Sequence, residues 1–446
     1  MRVIVIGGVA AGMSAASKMK RLNKDIDLIV YEKGNDLSYG ACGMPYFLSD
    51  IIKEEVALIA RTKTQFENNG IRVEVMHEVT DIDPSRKMIK GVNLSTNEPF
   101  KDTYDKLIVA TGAKGIRLPI DGSDLTGIHT LNDLEDARQL KSALHNKANK
   151  TIAIIGGGYI GLEVAENLRE MDKNVLIIER LPRLLNVFDP FVSDAALKIL
   201  KDHQVDVYLN ETVQAYQGDK KVTKIITDKG SYEADLVIEA VGVKPNTDFL
   251  AKTSIERLKN GAIVVNDKME TSVKDIYSAG DCVAYPHRLR KKPAHIPLGT
   301  HANKAGRVIA EQITGNDKRF SGVLGSSVLK VFDLEIAKTG LSTQEAEDDG
   351  LNYDVVHVKA RDKADYYPGA TPIDMSVLYD VKTCKLLGVQ MVGVTGVAHR
   401  INTAATAIHN TMTAKAYASI DFAYAPPFSP VYDPLHMAAM QVKCDK

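Results

Sequence analysis

The chain has 446 residues, with 56 Lys plus Arg against 57 Asp plus Glu. That length exceeds one ordinary domain and suggests roughly three units of about 150 residues. A net charge of -1 gives no electrostatic reason to expect nucleic acid or an anionic membrane as partner, so a small molecule is the expected ligand. The first apolar run, Val3 to Ile6, is broken by Gly7 and Gly8 and cannot form a signal-peptide core. No later run reaches the roughly 18 apolar residues of a spanning helix, and a soluble, cytoplasmic protein is expected. Cys42, Cys282, Cys384 and Cys444 lie far apart with no CxxC pair. That spacing argues against a zinc site and a disulfide framework and leaves a single reactive thiol as the open reading.

In chain order, RVIVI reads as a strand, GGVAAG as a turn, Met13 to about Leu22 as a helix of small residues, and DLIVYE as a second strand ending at Glu32. Thr151 to Glu179 repeats this βαβ grammar with Gly156, Gly158 and Gly161 in a GxGxxG turn, and Glu179 follows eighteen residues after Gly161. Such glycines permit a tight turn and close backbone approach, the helix N-terminus carries partial positive charge for a pyrophosphate, and the acid accepts from a ribose hydroxyl. The first copy is imperfect, since Val9 stands at the second glycine position, but Glu32 follows Gly12 by twenty residues at the expected place. Two dinucleotide sites are therefore expected, and recurrence makes the pair more specific than either turn alone. YDKLIVATGA, with Ala110, Thr111 and Gly112, is a strand closing on small residues where the chain can cross between domains. TSVKDIYSAGD ends at Asp281, a carboxylate placed to accept from a polyol hydroxyl. From about Val328 the strand-like runs YDVVHVKA, MSVLYDV and KLLGVQMVG, with the helical run VAHRINTAATAIHNTM, predict an antiparallel sheet backed by helices.

SYGACGMPYFLSD places Cys42 before a helix predicted to run toward Ile52. Unpaired N–H groups at a helix start lower a thiol pKa and populate the nucleophilic thiolate near neutral pH. The competing reading is a buried structural cysteine.

Taken together, GGVAAG with Glu32, ATG at 110–112, GGGYIG with Glu179, VGVKPN at 241–246 and SAGD at 278–281 resemble the pyridine nucleotide-disulfide oxidoreductase family over essentially the whole chain. The resemblance implies an α/β fold with two Rossmann-like dinucleotide-binding domains and a C-terminal α+β dimerisation domain. The expected FAD-binding domain spans 1–112 and 245–325, the NAD(P)-binding domain 113–244 and the dimerisation domain 326–446. It implies cofactor contacts from Gly7, Gly8, Ala11 and Gly12, from Glu32 to the FAD ribose with Lys33 beside it, and from Val79, Ala110, Thr111 and Gly112. Further contacts are implied at Gly156, Gly158, Ile160, Gly161, Glu179 and Gly242, with Tyr159 over the flavin until nicotinamide displaces it. Gly280 and Asp281 are expected at the ribityl chain, and Gly299, Thr300 and Ala302 open a helix, with His301 and Asn303, aimed at the flavin pyrimidine edge.

Two-cysteine members of that family carry CxxxxC, whereas this chain has Phe47 at the second position. SYGACGMPY resembles the single-cysteine branch of coenzyme A-disulfide reductases, NADH oxidases and peroxidases, and sulfur or persulfide reductases. There Cys42 would cycle through a mixed disulfide with coenzyme A or a sulfenic acid. A histidine that peroxidases and many water-forming oxidases place in the first turn is replaced by Ala10, which shifts weight to disulfide reduction. The length leaves no room for an appended rhodanese domain, so none is expected. Ser14, Lys18, Arg21 and Ser38 match coenzyme A-contacting positions, with Lys20 and Lys24 adding charge to the same helix region. Tyr366, Tyr367 and Tyr424 resemble tyrosines that the partner subunit brings to the active site, and Ala41 and Tyr432 depart from the pattern. The expected activity is NADH-dependent (NADPH possible), FAD-dependent reduction of coenzyme A disulfide or persulfide by a homodimer with shared sites. The alternatives are an NADH oxidase and a sulfur or polysulfide reductase. A non-catalytic redox sensor is disfavoured by the complete cofactor machinery. Cys282 is expected to be a packed small residue, and Cys384 and Cys444 incidental.

Overall fold

A computed structural model describes residues 1–444. Asp445 and Lys446, the end of the third unit expected from sequence, lie outside the described residues. The two βαβ units are each the nucleus of a five-stranded parallel sheet. The first runs in the order Ile276–Ser278, Lys106–Val109, Arg2–Ile6, Asp27–Tyr31, Arg72–Glu74. The second runs Val205–Leu209, Asn174–Glu179, Thr151–Ile155, Leu236–Glu239, Ile128–His129. Parallel strands are covered on both faces, which is why their sequences are unbroken apolar runs. Val3, Ile4 and Val5 in one sheet and Ile152, Ala153 and Ile154 in the other are all 0% exposed.

The likeness between the halves extends past the glycine turns. In each, an antiparallel three-stranded meander leaves the sheet before the chain returns to it: His77–Asp83, Met88–Asn93 and Glu98–Thr103 in the first, Val213–Gln217, Lys224–Thr227 and Ser231–Glu233 in the second. Between the halves the chain crosses twice, and the crossings pair as antiparallel strands Ala113–Gly115 and Val243–Pro245. Thr111 Oγ1 donates to the Asn246 carbonyl (2.7 Å), and Asn246 N–H donates to the Gly112 carbonyl (3.0 Å).

Helix Ala10–Leu22 lies against helix Gly299–Ile313. The approach is close enough that a Cβ on Gly306 would run into the Ala11 carbonyl. The first helix starts at Ala10 rather than Met13, because Met13 N–H already donates to the Val9 carbonyl (3.2 Å) and winds the turn into the helix. The third sheet is antiparallel, in the order Ser327–Val331, Leu334–Gly340, Leu386–Gly393, Pro372–Asp380, Tyr353–Arg361, backed by helices Val397–His409 and Pro434–Gln441. Among the described residues no helix is long and apolar enough to cross a membrane.

One expectation about cysteine is corrected. Cys384 and Cys444, taken from sequence as incidental, form a disulfide with Cα atoms 5.8 Å apart. Sixty residues separate them, so spacing gave no sign of it. The C-terminal segment returns along the sheet, where Tyr379 Oη donates to the Lys443 carbonyl (2.9 Å). Cross-linking that far along the chain restricts the unfolded state, and replacing Cys384 by serine is expected to cost about 2–4 kcal/mol. Denaturant unfolding of the variant, and of the native protein with and without a dithiol, measures the loss. A midpoint that neither treatment moves would remove the bond from the stability of this domain. Cys282, by contrast, is a fully buried packed residue, as expected.

Candidate functional site

The two glycine turns are built alike. Gly7 and Gly156 both have φ of 109°, and a Cβ on either would strike the backbone of the neighbouring strand end, at Ala110 or Ala240. A Cβ on Gly12 would run into the Gly7 carbonyl, and one on Gly161 into the Gly156 carbonyl. These positions need glycine because the helix crosses directly over the turn. Each acid then caps its own turn. Glu32 accepts from Gly8 N–H (2.5 Å) and Gly34 N–H (2.8 Å), and Glu179 from Gly157 N–H and Leu181 N–H (both 2.7 Å). Burial holds the Glu32 carboxyl above its ordinary range, against the pull of those N–H groups. Lys33 is exposed and ion-paired with Glu78 at 2.7 Å, and Val79 is buried in the neighbouring meander.

At the far edge, Gly280 (φ 97°) sits with Ala11 as its nearest neighbour, which brings the SAGD turn onto the start of the first helix. The Asp281 carboxyl is half-buried and raised by that burial, and it has no hydrogen-bond partner among the described residues. His295 Nε2 lies 2.8 Å from the Asp281 carbonyl. Gly299 and Thr300 are exposed at the start of their helix, while Ala302 and His301 are buried behind them. Asn303 accepts from Ser14 Oγ at 2.5 Å.

Cys42 lies in a single tight turn, Ala41–Gly43, followed by a helix of only Met44–Leu48. The helix predicted to reach Ile52 stops early because Asp50 turns left-handed (φ 62°) and is held there by Lys141 at 2.6 Å. The expected lowering of the thiol pKa is therefore not found. Cys42 is open to solvent, yet the protein crowding it raises the thiol, and the carboxylates of Glu163 and Asp281 raise it further. A helix of one turn supplies too little dipole to offset them.

Tyr159 and Ile160 open helix Tyr159–Glu170 beside Gly158. Tyr159 Oη is 2.7 Å from Ser327 Oγ, its ring packs against Phe188, and burial pushes its hydroxyl up to about 12. Ile160 is 38% exposed, and Gly242 (φ 113°) accepts from Ile116 N–H at the second crossing.

The basic positions are partly committed elsewhere. Lys18 is ion-paired with Glu311 at 2.9 Å, so it and Ser14 tie the first helix to helix Gly299–Ile313. Lys20 Nζ donates to the Ile26 and Lys24 carbonyls, whereas Arg21 is exposed. Ser38 takes a left-handed φ of 48° and is held through its backbone to Gly8 and Ala60. Tyr366 and Tyr424 come together with hydroxyls 3.0 Å apart, exposed at 73% and 44%, and Tyr367 lies beside them at 39%. Phe428, Val431 and Tyr432 extend the same segment as exposed apolar groups. Among the described residues no cluster of side chains is arranged to hold a metal ion.

Residues 1–306 match the family described as Pyridine nucleotide-disulphide oxidoreductase, and residues 326–435 match its dimerisation domain. The chain belongs to the pyridine nucleotide-disulphide oxidoreductase family. It is similar to the NAD(P)H coenzyme A polysulfide/persulfide reductase of Pyrococcus horikoshii, at 37% identity over 99% of this chain and 98% of the relative. It is similar also to the coenzyme A disulfide reductase of Staphylococcus aureus, at 34% identity over 99% of this chain and 100% of the relative. Its structure resembles the NADH-bound water-forming NADH oxidase of Lactobacillus brevis with a TM-score of 0.95, at 30% identity over 99% of this chain and 97% of that one.

Within the pyridine nucleotide-disulphide oxidoreductases the chain is thus an NAD(P)H-dependent flavoprotein of the group that holds coenzyme A-disulfide reductases, NADH oxidases and persulfide reductases. Its own geometry fits the two cofactors of this family. A Cβ on Gly158 would meet nothing within 4 Å, so the second turn presents bare backbone to open space. At the first, the unpartnered Asp281 carboxyl suits a polyol hydroxyl. Sequence reasoning missed Glu163 and Ser327. Glu163 alone left a signal: four residues after Tyr159, it shares that residue's helical face.

Proposed function

We propose that this flavoprotein reduces coenzyme A disulfide, or a coenzyme A persulfide, through Cys42, with NADH preferred over NADPH. The observation that carries this reading is thiol access. Among the described residues Cys282 is 0% exposed, Cys384 and Cys444 are bonded to each other, and Cys42 is the free thiol that solvent reaches. Phe47, where a resolving cysteine would stand, is buried and apolar, so the second sulfur must come from the substrate.

On this reading segments 1–112 and 245–325 hold FAD, with Glu32 toward the adenosine ribose and Asp281 toward the ribityl chain. Residues 113–244 hold the nicotinamide dinucleotide on the Gly156–Gly161 turn. When bound, FAD and NADH supply the two electrons of the reaction. The Cys42 thiolate attacks one sulfur of the substrate disulfide, forming the Cys42–S bond as the substrate S–S bond breaks, and the departing coenzyme A thiolate takes a proton. Two electrons then cleave the mixed disulfide and return the Cys42 thiolate with a second coenzyme A thiol. Arg21 and Ser38 remain available for the coenzyme A nucleotide, whereas Lys18 must first leave Glu311. The exposed Tyr366–Tyr424 pair, with Tyr367, is read as a proton donor to the site of a second copy of the chain across a two-fold interface. Glu179 fixes negative charge where a 2′-phosphate would lie, which favours NADH.

Acceptor profiling of the purified flavoprotein tests this. Anaerobic turnover should be fastest with coenzyme A disulfide or persulfide and should have a higher kcat/KM with NADH than with NADPH. Faster turnover with oxygen than with any sulfur acceptor would make the chain an NADH oxidase. Selective turnover of elemental sulfur would make it a sulfur reductase.

A further inference from the structure

The segment that carries Cys42 leaves the core of the first sheet. Leu37 and Phe66 pack in that core, but between them Met44, Phe47, Leu48 and Leu58 pack with Ile152 and Ile154 of the second sheet. Helix Leu134–His145 belongs to the same second core through Leu134, Leu140 and Leu144. Ser49 Oγ adds a polar tie to the second half, donating to Asn167 Oδ1 at 2.5 Å.

Beside its apolar face, helix Leu134–His145 carries Arg138, Lys141 and His145, a spacing that a helix gathers into one row. All three meet the Cys42 segment. Arg138 donates from Nη1 and Nη2 to Asp36 (2.9 and 2.8 Å) and from Nε and Nη2 to Glu55 (2.9 and 2.6 Å). One planar guanidinium thus bridges two carboxylates, six residues before Cys42 and thirteen after it. Lys141 takes the middle. Its Nζ donates to the Phe47 carbonyl at 2.7 Å, pairs with Asp50 at 2.6 Å and stands 3.8 Å from the centre of the Phe47 ring. The ammonium therefore caps helix Met44–Leu48 and holds the left-handed Asp50 that ends it. His145 Nε2 lies 3.3 Å from the other Asp50 oxygen. The Lys141 side chain is only 16% exposed, so salt screens its contacts less than those of a surface pair.

We propose that Lys141 and Arg138 are positioning residues for the Cys42 thiol: helix Leu134–His145 grips the chain on both sides of the sulfur and makes that thiol part of the half that carries the Gly156–Gly161 turn. The inference rests on the reading of Cys42 as the redox thiol and deepens it. Releasing the grip frees the turn locally. The sulfur then meets small reagents more often and stands less often where electrons reach it.

Alkylation of Cys42 by iodoacetamide in the FAD-loaded protein, read by peptide mass mapping, measures the grip without any disulfide substrate. Lys141→Met keeps a stem over Phe47 but loses the charge, and should raise the Cys42 rate about threefold or more. Lys141→Arg can reach the same carbonyl and carboxylate and should return the rate toward native. Cys282, fully buried in the first core, reports global opening in the same digest and should stay unmodified. Should Lys141→Met not fold, Asp50→Gly removes the carboxylate from the other side while a left-handed residue is kept, and the same rise is expected. A native Cys42 rate in the variant used, a rise matched at Cys282, or a rise that Lys141→Arg shares in full would overturn the proposal. Turnover is a separate readout. In Lys141→Met, kcat with coenzyme A disulfide should fall about threefold or more with KM little changed, while NADH reduces the flavin at the native rate. Faster alkylation with native kcat would uphold the grip and overturn the reading of Cys42 on which it rests.

Discussion

Replacing Cys42 by serine is expected to lower disulfide reduction at least about a thousandfold, the order seen when a covalent nucleophile is removed, while FAD remains bound and reducible by NADH. A serine hydroxyl is not ionised near neutral pH and cannot form the mixed disulfide. The proposed flavin cradle, the Gly7–Gly12 turn with the Glu32 cap and the Gly280–Asp281 turn, has no stake in the sulfur. Serine also fits the exposed Ala41–Gly43 turn without burying a new polar group. Anaerobic stopped-flow absorbance follows flavin bleaching, and a thiol assay follows coenzyme A release. Release near the native rate would take Cys42 out of the reaction and return attention to Cys282 and the Cys384–Cys444 pair.

The second large effect is expected at Gly161. A valine there would drive its Cβ into the Gly156 carbonyl, backbone that cannot yield without opening the turn, and would crowd Ile154. NADH should then reduce the flavin at least about a hundredfold more slowly, because the helix start can no longer cross the turn proposed to receive the pyrophosphate. The flavin itself should stay in place on the other sheet. Gly158→Ala separates geometry from contact, since its Cβ enters open space. Its melting temperature should match the native protein while the apparent affinity for NADH falls. Native affinity in Gly158→Ala, or undiminished reduction in Gly161→Val, would show that the dinucleotide does not lie on this turn.

What could be read from sequence was local. The glycine turns, the acids closing the second strands and the apolar parallel strands are each set within about thirty residues, and the structure shows them where the pattern put them. Other features depend on distant partners. The first strand hairpin of the third sheet turns at Phe332, left-handed at φ 52° with no glycine or proline to mark it, so its strands were not separated in the sequence. Cys384 finds Cys444 only because the chain returns along Tyr379. Cys42 was expected to be acidified, and its thiol is raised instead. The residues that raise its thiol, Glu163 and Asp281, lie 121 and 239 positions away in the chain.

The first sheet takes its edge strand, Ile276–Ser278, and its covering helix, Gly299–Ile313, from beyond the whole second sheet. During synthesis, strand Lys106–Val109 therefore waits for a neighbour encoded some 170 residues later, and Ala11 for the close approach of Gly306. At about 5–20 residues per second the wait is of order ten seconds or more. The second sheet is contiguous and can close on the ribosome first, so the half that begins the chain is the later of the two to mature. A nascent chain stalled near residue 270 should resist protease across 151–239 and be cut freely within 1–109.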